Sequence, residues 1–199
     1  MSKSGGKTWI KLSGYFGMIT PPIAFAFILS AIASAPTFSW ADNALSDLGV
    51  MRWPTSVIFN AGLVISGILA VIFATGLYMN FGKSVLGRCG VTIFLLCTIA
   101  LIAIGIFPEN MNPMHILASV AFFGLFPISM CVLTSAYFMS GKRKSAIFTI
   151  TVAAFAALVW ILESLFKYVP GVAIPETLSA LSASSWAIVI GFILARSGD

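Results

Sequence analysis

Six apolar runs, each near the length needed to cross a bilayer, constrain this chain more than any other feature. They cover residues 10–34, 56–79, 89–107, 114–139, 146–169 and 176–195. A helix needs about 20 apolar residues to cross a hydrocarbon core ~30 Å thick. No water enters that core, so each run must bond its backbone N–H and C=O groups within itself, as a helix does. The runs predict an all-α, polytopic membrane protein of six transmembrane helices. Composition agrees. Only 9% of the residues are charged, against about 25% in an ordinary soluble domain, too few to clothe a water-facing surface.

The connecting segments predict the orientation. With the N-terminus in the cytoplasm, Lys3, Lys7, Lys11, Lys83, Arg88, Lys142, Arg143, Lys144 and Arg196 are all cytoplasmic, and Arg52 and Lys167 alone lie outside. Such a bias of lysine and arginine sets the topology of multi-pass proteins, so both termini are expected inside, with the chain in the cell membrane. Five of the acids (Asp42, Asp47, Glu109, Glu163, Glu176) gather toward the outer ends. The net charge of +5 does not point to nucleic acid, because the basic residues sit at the ends of apolar runs rather than on one face. The expected partners are membrane lipids and a small polar or lipid ligand. An oligomer or larger complex is compatible with the sequence.

Residues 1–9, rich in Gly, Ser and Lys, read as a mobile cytoplasmic N-terminus, and 10–199 as a single six-helix transmembrane domain. The first run has a signal-peptide look, with Ala33-Ser34-Ala35 as the cleavage pattern. It is too long for a signal core and Pro36 would follow the cut, so it reads as a retained helix, kinked at Pro21-Pro22. Asn112 and Pro113 read as the N-cap and first residue of the fourth helix. Pro127 in the fourth run weakly echoes the proline pair of the first, as in an inverted repeat, although chance matching is the favoured account. Cys89, Cys97 and Cys131 show no metal or disulfide spacing and read as small apolar fillers.

The segment 38–54 between the first two runs is the richest in chemistry. Ser39 or Asp42 is placed to cap a short interfacial helix that ends at Gly49. On it, Asn43 and Asp47 are four apart and share a face, while Trp40 and Trp53 suit anchors at headgroup level. Arg52 is close enough in sequence to pair with Asp47. The bland alternative, a capped loop with a surface ion pair, has equal weight.

The string Ser39-Trp40-Ala41-Asp42-Asn43-Ala44-Leu45-Ser46-Asp47-Leu48-Gly49 resembles the signature of the membrane family called domain of unknown function 998. The resemblance continues through Phe59-Asn60-x-Gly62-Leu63 and Gly67, through Gly105-x-Phe107-Pro108-Glu109, and to His115, covering roughly residues 35–125. It implies a multi-helix membrane fold and singles out Asn43, Ser46, Asp47, Asn60, Glu109 and His115. It supplies no reaction.

Side-chain chemistry points to an overlapping set. His115, beside the positive end of a helix, suits metal binding or proton acceptance, though a hydrogen-bonded structural histidine is commoner. Glu163 is the one acid inside an apolar run. An ionisable group there normally faces the bundle or water, and the competing account is an i,i+4 ion pair with Lys167. Ser179, Ser182 and Trp186 share a helical face, where small hydroxylated residues often only permit close packing. The expected ligand-binding set is Asn43, Ser46, Asp47, Asn60, Glu109, His115, Glu163 and Ser182, around an outward-opening polar cavity. This favours a protein that binds or transports a small polar or lipid-headgroup ligand. Two alternatives stand beside it. One is a metal-dependent intramembrane hydrolase, with a divalent metal such as zinc on Asp47, Glu109 and His115. That inventory loosely resembles the alkaline ceramidase and adiponectin-receptor superfamily, from which this chain departs in helix number and in having one histidine. The other is a structural subunit of a membrane complex. The single histidine argues against a bis-histidine haem, so no haem is expected.

Overall fold

The computed structural model describes residues 3–197 as six long helices and one short 3₁₀ segment. The helices are α1 Lys3–Ala33, α2 Thr55–Asn80, α3 Val85–Ile106, α4 Met114–Met139, α5 Arg143–Phe166 and α6 Ala173–Arg196. The shortest, α3, has 22 residues, about 33 Å at 1.5 Å per residue. All six are long and apolar enough to cross a membrane, as expected from the runs. The described residues contain no strand.

Helix ends differ from the expected ones for local reasons. α1 starts at Lys3, so residues 3–9 continue the first helix. α3 starts four residues before the expected 89 because Ser84 Oγ accepts the Gly87 N–H at 3.2 Å, an N-cap that pulls the boundary back. α5 stops at Phe166 because Lys167 takes a left-handed conformation (φ 41°) and donates its N–H to the Glu163 carbonyl at 2.9 Å. The expected Glu163–Lys167 side-chain pair is not made, since the left-handed turn carries Lys167 off the helix. Asn112 does not cap α4; Pro113 occupies that position without a side-chain cap.

Each helix packs on its neighbours in the chain, and α6 returns to α1 to close a six-membered ring. The α1–α6 contact depends on missing side chains. A Cβ on Gly14 would lie 2.5 Å from the Ala195 nitrogen, and one on Gly191 would lie 2.6 Å from the Gly14 carbonyl. Small residues let backbones approach where lipid offers no hydrophobic drive for helix association. Inside the ring, Phe73, Phe94 and Trp186 pack edge-to-face with centroids 5.1–6.1 Å apart. Trp186 has 0% exposure and donates Nε1–H to Thr149 Oγ1 at 3.1 Å, which fixes α6 to α5. A second apolar cluster, including Ile28, Ala31, Leu45, Leu48, Phe59 and Ala173, occupies the end of the ring where the α1–α2, α3–α4 and α5–α6 connections meet.

Candidate functional site

The α1–α2 connection folds down as a roof on that end of the ring. The short interfacial helix expected there is shorter than its candidate caps implied. A turn at 39–43 is followed by one 3₁₀ segment, Ser46–Val50, with Gly49 inside it. The side chains at 39–47 bond locally and divert the backbone from regular helix. Ser39 donates its Oγ–H to Asp42 at 2.6 Å and its N–H to Asn43 Oδ1 at 2.9 Å. Asn43 Nδ2 and the Ala44 N–H both donate to Asp47 Oδ2, at 2.7 and 3.0 Å. The expected Asn43–Asp47 pairing is therefore present. Arg52 is not among the partners of Asp47.

The third partner of Asp47 is Glu109, from the α3–α4 connection. Two carboxyl groups joined by a hydrogen bond hold a proton between them. Burial raises Glu109, and the hydrogen bond to Asp47 and its negative charge push the same way, to about 7. At Asp47 burial also acts upward, but hydrogen bonds from Glu109, Asn43 and the Ala44 N–H outweigh it and hold the group below its usual range. Glu109 is thus the proton carrier of the pair.

A third carboxylate completes the roof. Glu176, in the first turn of α6, accepts the Leu45 N–H at 2.6 Å and also the Ser46 N–H. It feels the charges of Asp47 and Glu109. The α5–α6 connection tightens this attachment, with Gly171 N–H to Ala41 O at 2.7 Å and Ala173 N–H to Asn43 O at 2.9 Å. A side chain at Gly171 would collide with the Asn43 carbonyl. Glu176 was not among the residues the sequence singled out. Its partner is 131 positions away in the chain, and no local pattern announces such a contact.

Asn60 and His115 reach the roof's framework rather than its carboxylates. Asn60 Nδ2 donates to the Gly49 carbonyl at 2.9 Å, holding the 3₁₀ segment on α2, while its buried Oδ1 has no partner. His115, 7% exposed, has Nδ1 2.8 Å from the Phe107 carbonyl and Nε2 3.4 Å from Ser119 Oγ. A carbonyl only accepts, so Nδ1 carries the hydrogen and Nε2 accepts from Ser119. The imidazole thus fastens the end of α3 to α4. Glu163 and Ser182 are not brought to the roof. Glu163 is 8% exposed on α5, with Oε2 unpartnered. Ser182 donates back to the Ser179 carbonyl at 2.9 Å. Among the described residues no three His, Cys, Asp or Glu side chains are grouped to hold a metal. Asp47, Glu109 and His115 therefore form no ligand set: the carboxyls bind each other and the imidazole faces a carbonyl.

Beneath the roof lies a partly open cavity. Leu45, Ser46 and Glu176 edge the roof side, Phe25, Leu63 and Leu101 belong to its wall, and Phe94 and Phe126 lie deeper. This corrects the expected polar cavity. The carboxylates sit at the roof, and the surface of the space below is almost entirely apolar, since a spanning helix cannot leave polar groups unbonded in hydrocarbon. Three hydroxyls on its wall are already spent, Thr20 and Thr98 on carbonyls of their own helices and Ser119 on His115. Another wall residue is Ser66, on α2. It is 1% exposed, lines the cavity, and its Oγ has no partner. An unpaired buried hydroxyl costs about 1–3 kcal/mol.

A closed ring of six spanning helices with an apolar cavity under a carboxylate roof defines a multi-pass helical membrane protein. The chain belongs to the family described as protein of unknown function (DUF998), whose model matches residues 18–193. The match takes in the segment 38–54 and runs through α6, well past residue 125, where the motif resemblance ended. No curated protein and no solved structure matches the chain.

Proposed function

We propose that this protein binds a membrane amphiphile, with its head at the roof and its chain in the cavity. One observation carries the reading: Ser46 and Glu176 belong at once to the polar roof and to the rim of the apolar cavity. The two environments are continuous, one offering polar contacts and the other burial for hydrocarbon. Apolar pockets with a few convergent polar groups are the usual form of small-molecule sites. The lysine and arginine bias toward the opposite end supports a roof on the external face.

The test is retention of lipid through purification. Native mass spectrometry of the wild-type protein is expected to show one bound amphiphile. Ala183, on the cavity wall, is replaced by Trp to fill the space. The Ala183→Trp protein is expected to lose that adduct while melting at least as high as emptied wild type. Equal retention by both proteins would refute the proposal.

A further inference from the structure

We propose that the Asp47–Glu109 pair is a pH-sensitive latch on the roof, closed while the two carboxyls share a proton and released when it leaves. Release opens the cavity on the side of α3 and α4. This device needs only the roof and the cavity, whatever the ligand, and so goes beyond the binding reading above.

The attachments of the roof are unequal. Toward α6 it is held by backbone, through Gly171 N–H to Ala41 O and Ala173 N–H to Asn43 O. Toward α2, Asn60 Nδ2 donates to the Gly49 carbonyl. The apolar side chains of the roof, Leu45 and Leu48, are buried in one cluster with Ile28 and Ala31 of α1, Phe59 of α2 and Ala173 of α6. No described residue of α3 or α4 belongs to that cluster. On their side the roof is tied down by the hydrogen bond from Glu109 to Asp47. Ser46, next to Asp47 in the chain, lies at the rim of the cavity, and Leu101 of α3 and Ser119 of α4 line its wall. The roof is therefore hinged on α1, α2 and α6 and latched to the α3–α4 connection.

A bond between two carboxyls exists only while one of them carries a proton, because a carboxylate has no hydrogen to donate. When the proton leaves, two like charges face each other. The charged groups that act on this pair are its own two members and Glu176, from α6. All are acids. Arg52 and Lys167, the cations of this end, act on neither Asp47 nor Glu109. Asp42 bonds Ser39, and His115 of α4 is engaged with the Phe107 carbonyl and Ser119. Among the described residues, then, no cation holds the pair together once it is ionised. The hinge side behaves differently. Glu176 accepts the Leu45 N–H, and a carboxylate accepts more strongly when ionised. Rising pH thus cuts one side of the roof and spares the other. Asp47 is held below its usual range, while Glu109 is pushed up to about 7. The latch is closed below that pH and open above it.

The experiment uses the full chain in neutral detergent, with Cys89, Cys97 and Cys131 replaced by Ser. Nitroxide labels are attached at Val50→Cys in the roof and Met111→Cys in the α3–α4 connection, both exposed positions. Pulsed electron spin resonance measures their separation over a pH series that brackets 7. A single short distance is expected in acid. Above the midpoint a longer one is expected to replace it, the short-to-long ratio falling about tenfold per pH unit, the limit for one proton. Glu109→Gln keeps a donor for Asp47 and is expected to hold the short distance at every pH. A second pair, Val50→Cys with Tyr168→Cys on the hinge side, is expected to stay fixed, which shows that the protein remains folded. Access to the cavity is read with a single cysteine on its wall, Leu101→Cys. At one alkaline pH a water-soluble maleimide is expected to label it about tenfold or more faster than it labels the same cysteine combined with Glu109→Gln, in proportion to the open population. A wild-type distance that does not change with pH overturns the latch. So does a Glu109→Gln protein that opens with pH as wild type does, a hinge-side pair that moves as far as the first, or equal labelling of Leu101→Cys in the two backgrounds.

Discussion

Asp47 and Glu109 show how one shared proton can join two connections of a membrane bundle. Glu109 titrates near 7 in the folded protein against 4.5 for the free side chain. The folded chain therefore holds more protons than the unfolded chain between those values, and stability falls as pH rises through that window. Asp47 acts in the opposite sense, because its folded value lies below 3.8. Its contribution is present above 3.8 and fades in stronger acid. Glu109→Gln keeps a donor for Asp47 but removes the titration. Across the window from 4.5 to 7, the wild-type melting temperature is expected to decline with pH, and the Glu109→Gln curve to stay flatter. Intrinsic tryptophan fluorescence over a pH series measures both slopes, and a mutant slope as steep as wild type would refute the shared-proton account. At this scale the sequence was informative where contacts are local. The Asn43–Asp47 bond follows from four-residue spacing, and the special character of Asp47, Asn60, Glu109 and His115 was visible. Their roles were not. His115 and Asn60 bond backbone carbonyls of other elements, and only the folded chain brings those within reach.

At the scale of elements, glycine positions divide into those that a neighbour occupies and those that face open space. A Cβ on Gly191 would meet backbone of α1 at 2.6 Å and 3.0 Å, and backbone cannot swing aside as a long side chain can. Gly191→Ala is expected to force α6 from α1 and cost about 1–3 kcal/mol, the usual range for overpacking. Gly124 on α4 has nothing within 4 Å of its added Cβ, so Gly124→Ala is expected to gain up to about 1 kcal/mol from helix propensity alone. Melting temperatures in one detergent separate the two, and a Gly191→Ala protein as stable as Gly124→Ala would show that the α1–α6 contact is not close-packed. The same elements mark the limits of sequence reading. All six helices were legible from apolar length, because lipid imposes that length on any spanning segment. The short helix expected from a cap at Ser39 or Asp42 to Gly49 is present as the 3₁₀ segment Ser46–Val50, later than its caps implied, since the Ser, Asp and Asn side chains before it bond locally and suit turns as well as a first helical turn. The cavity was invisible in sequence. Its wall is made of the same Phe, Leu and Ala that fill a packed core, and whether they leave a gap is decided by how five helices meet.

For the whole molecule the open issue is which face of the membrane the roof occupies, since a ring of six spanning helices fits either way. The charge distribution decides the expectation. The connections after α2 and α4 carry Lys83 and Lys142, with Arg143 at the start of α5, whereas the roof end carries Asp42, Asp47, Glu109 and Glu176 beside Arg52 and Lys167. Short positively charged connections stay in the cytoplasm during insertion, and a roof in contact with the exterior would draw the proposed amphiphile from the outer leaflet. Trp53 in the roof is 80% exposed, and Lys83 is exposed at the opposite end. With Cys89, Cys97 and Cys131 replaced by Ser, single cysteines at these two positions report the face directly. A membrane-impermeant maleimide applied to intact cells is expected to label Trp53→Cys and to spare Lys83→Cys, with the pattern reversed in inverted vesicles. Labelling of Lys83→Cys alone on intact cells would place the roof in the cytoplasm. The cavity and its carboxylates would be unchanged, but the ligand would then have to come from the inner leaflet.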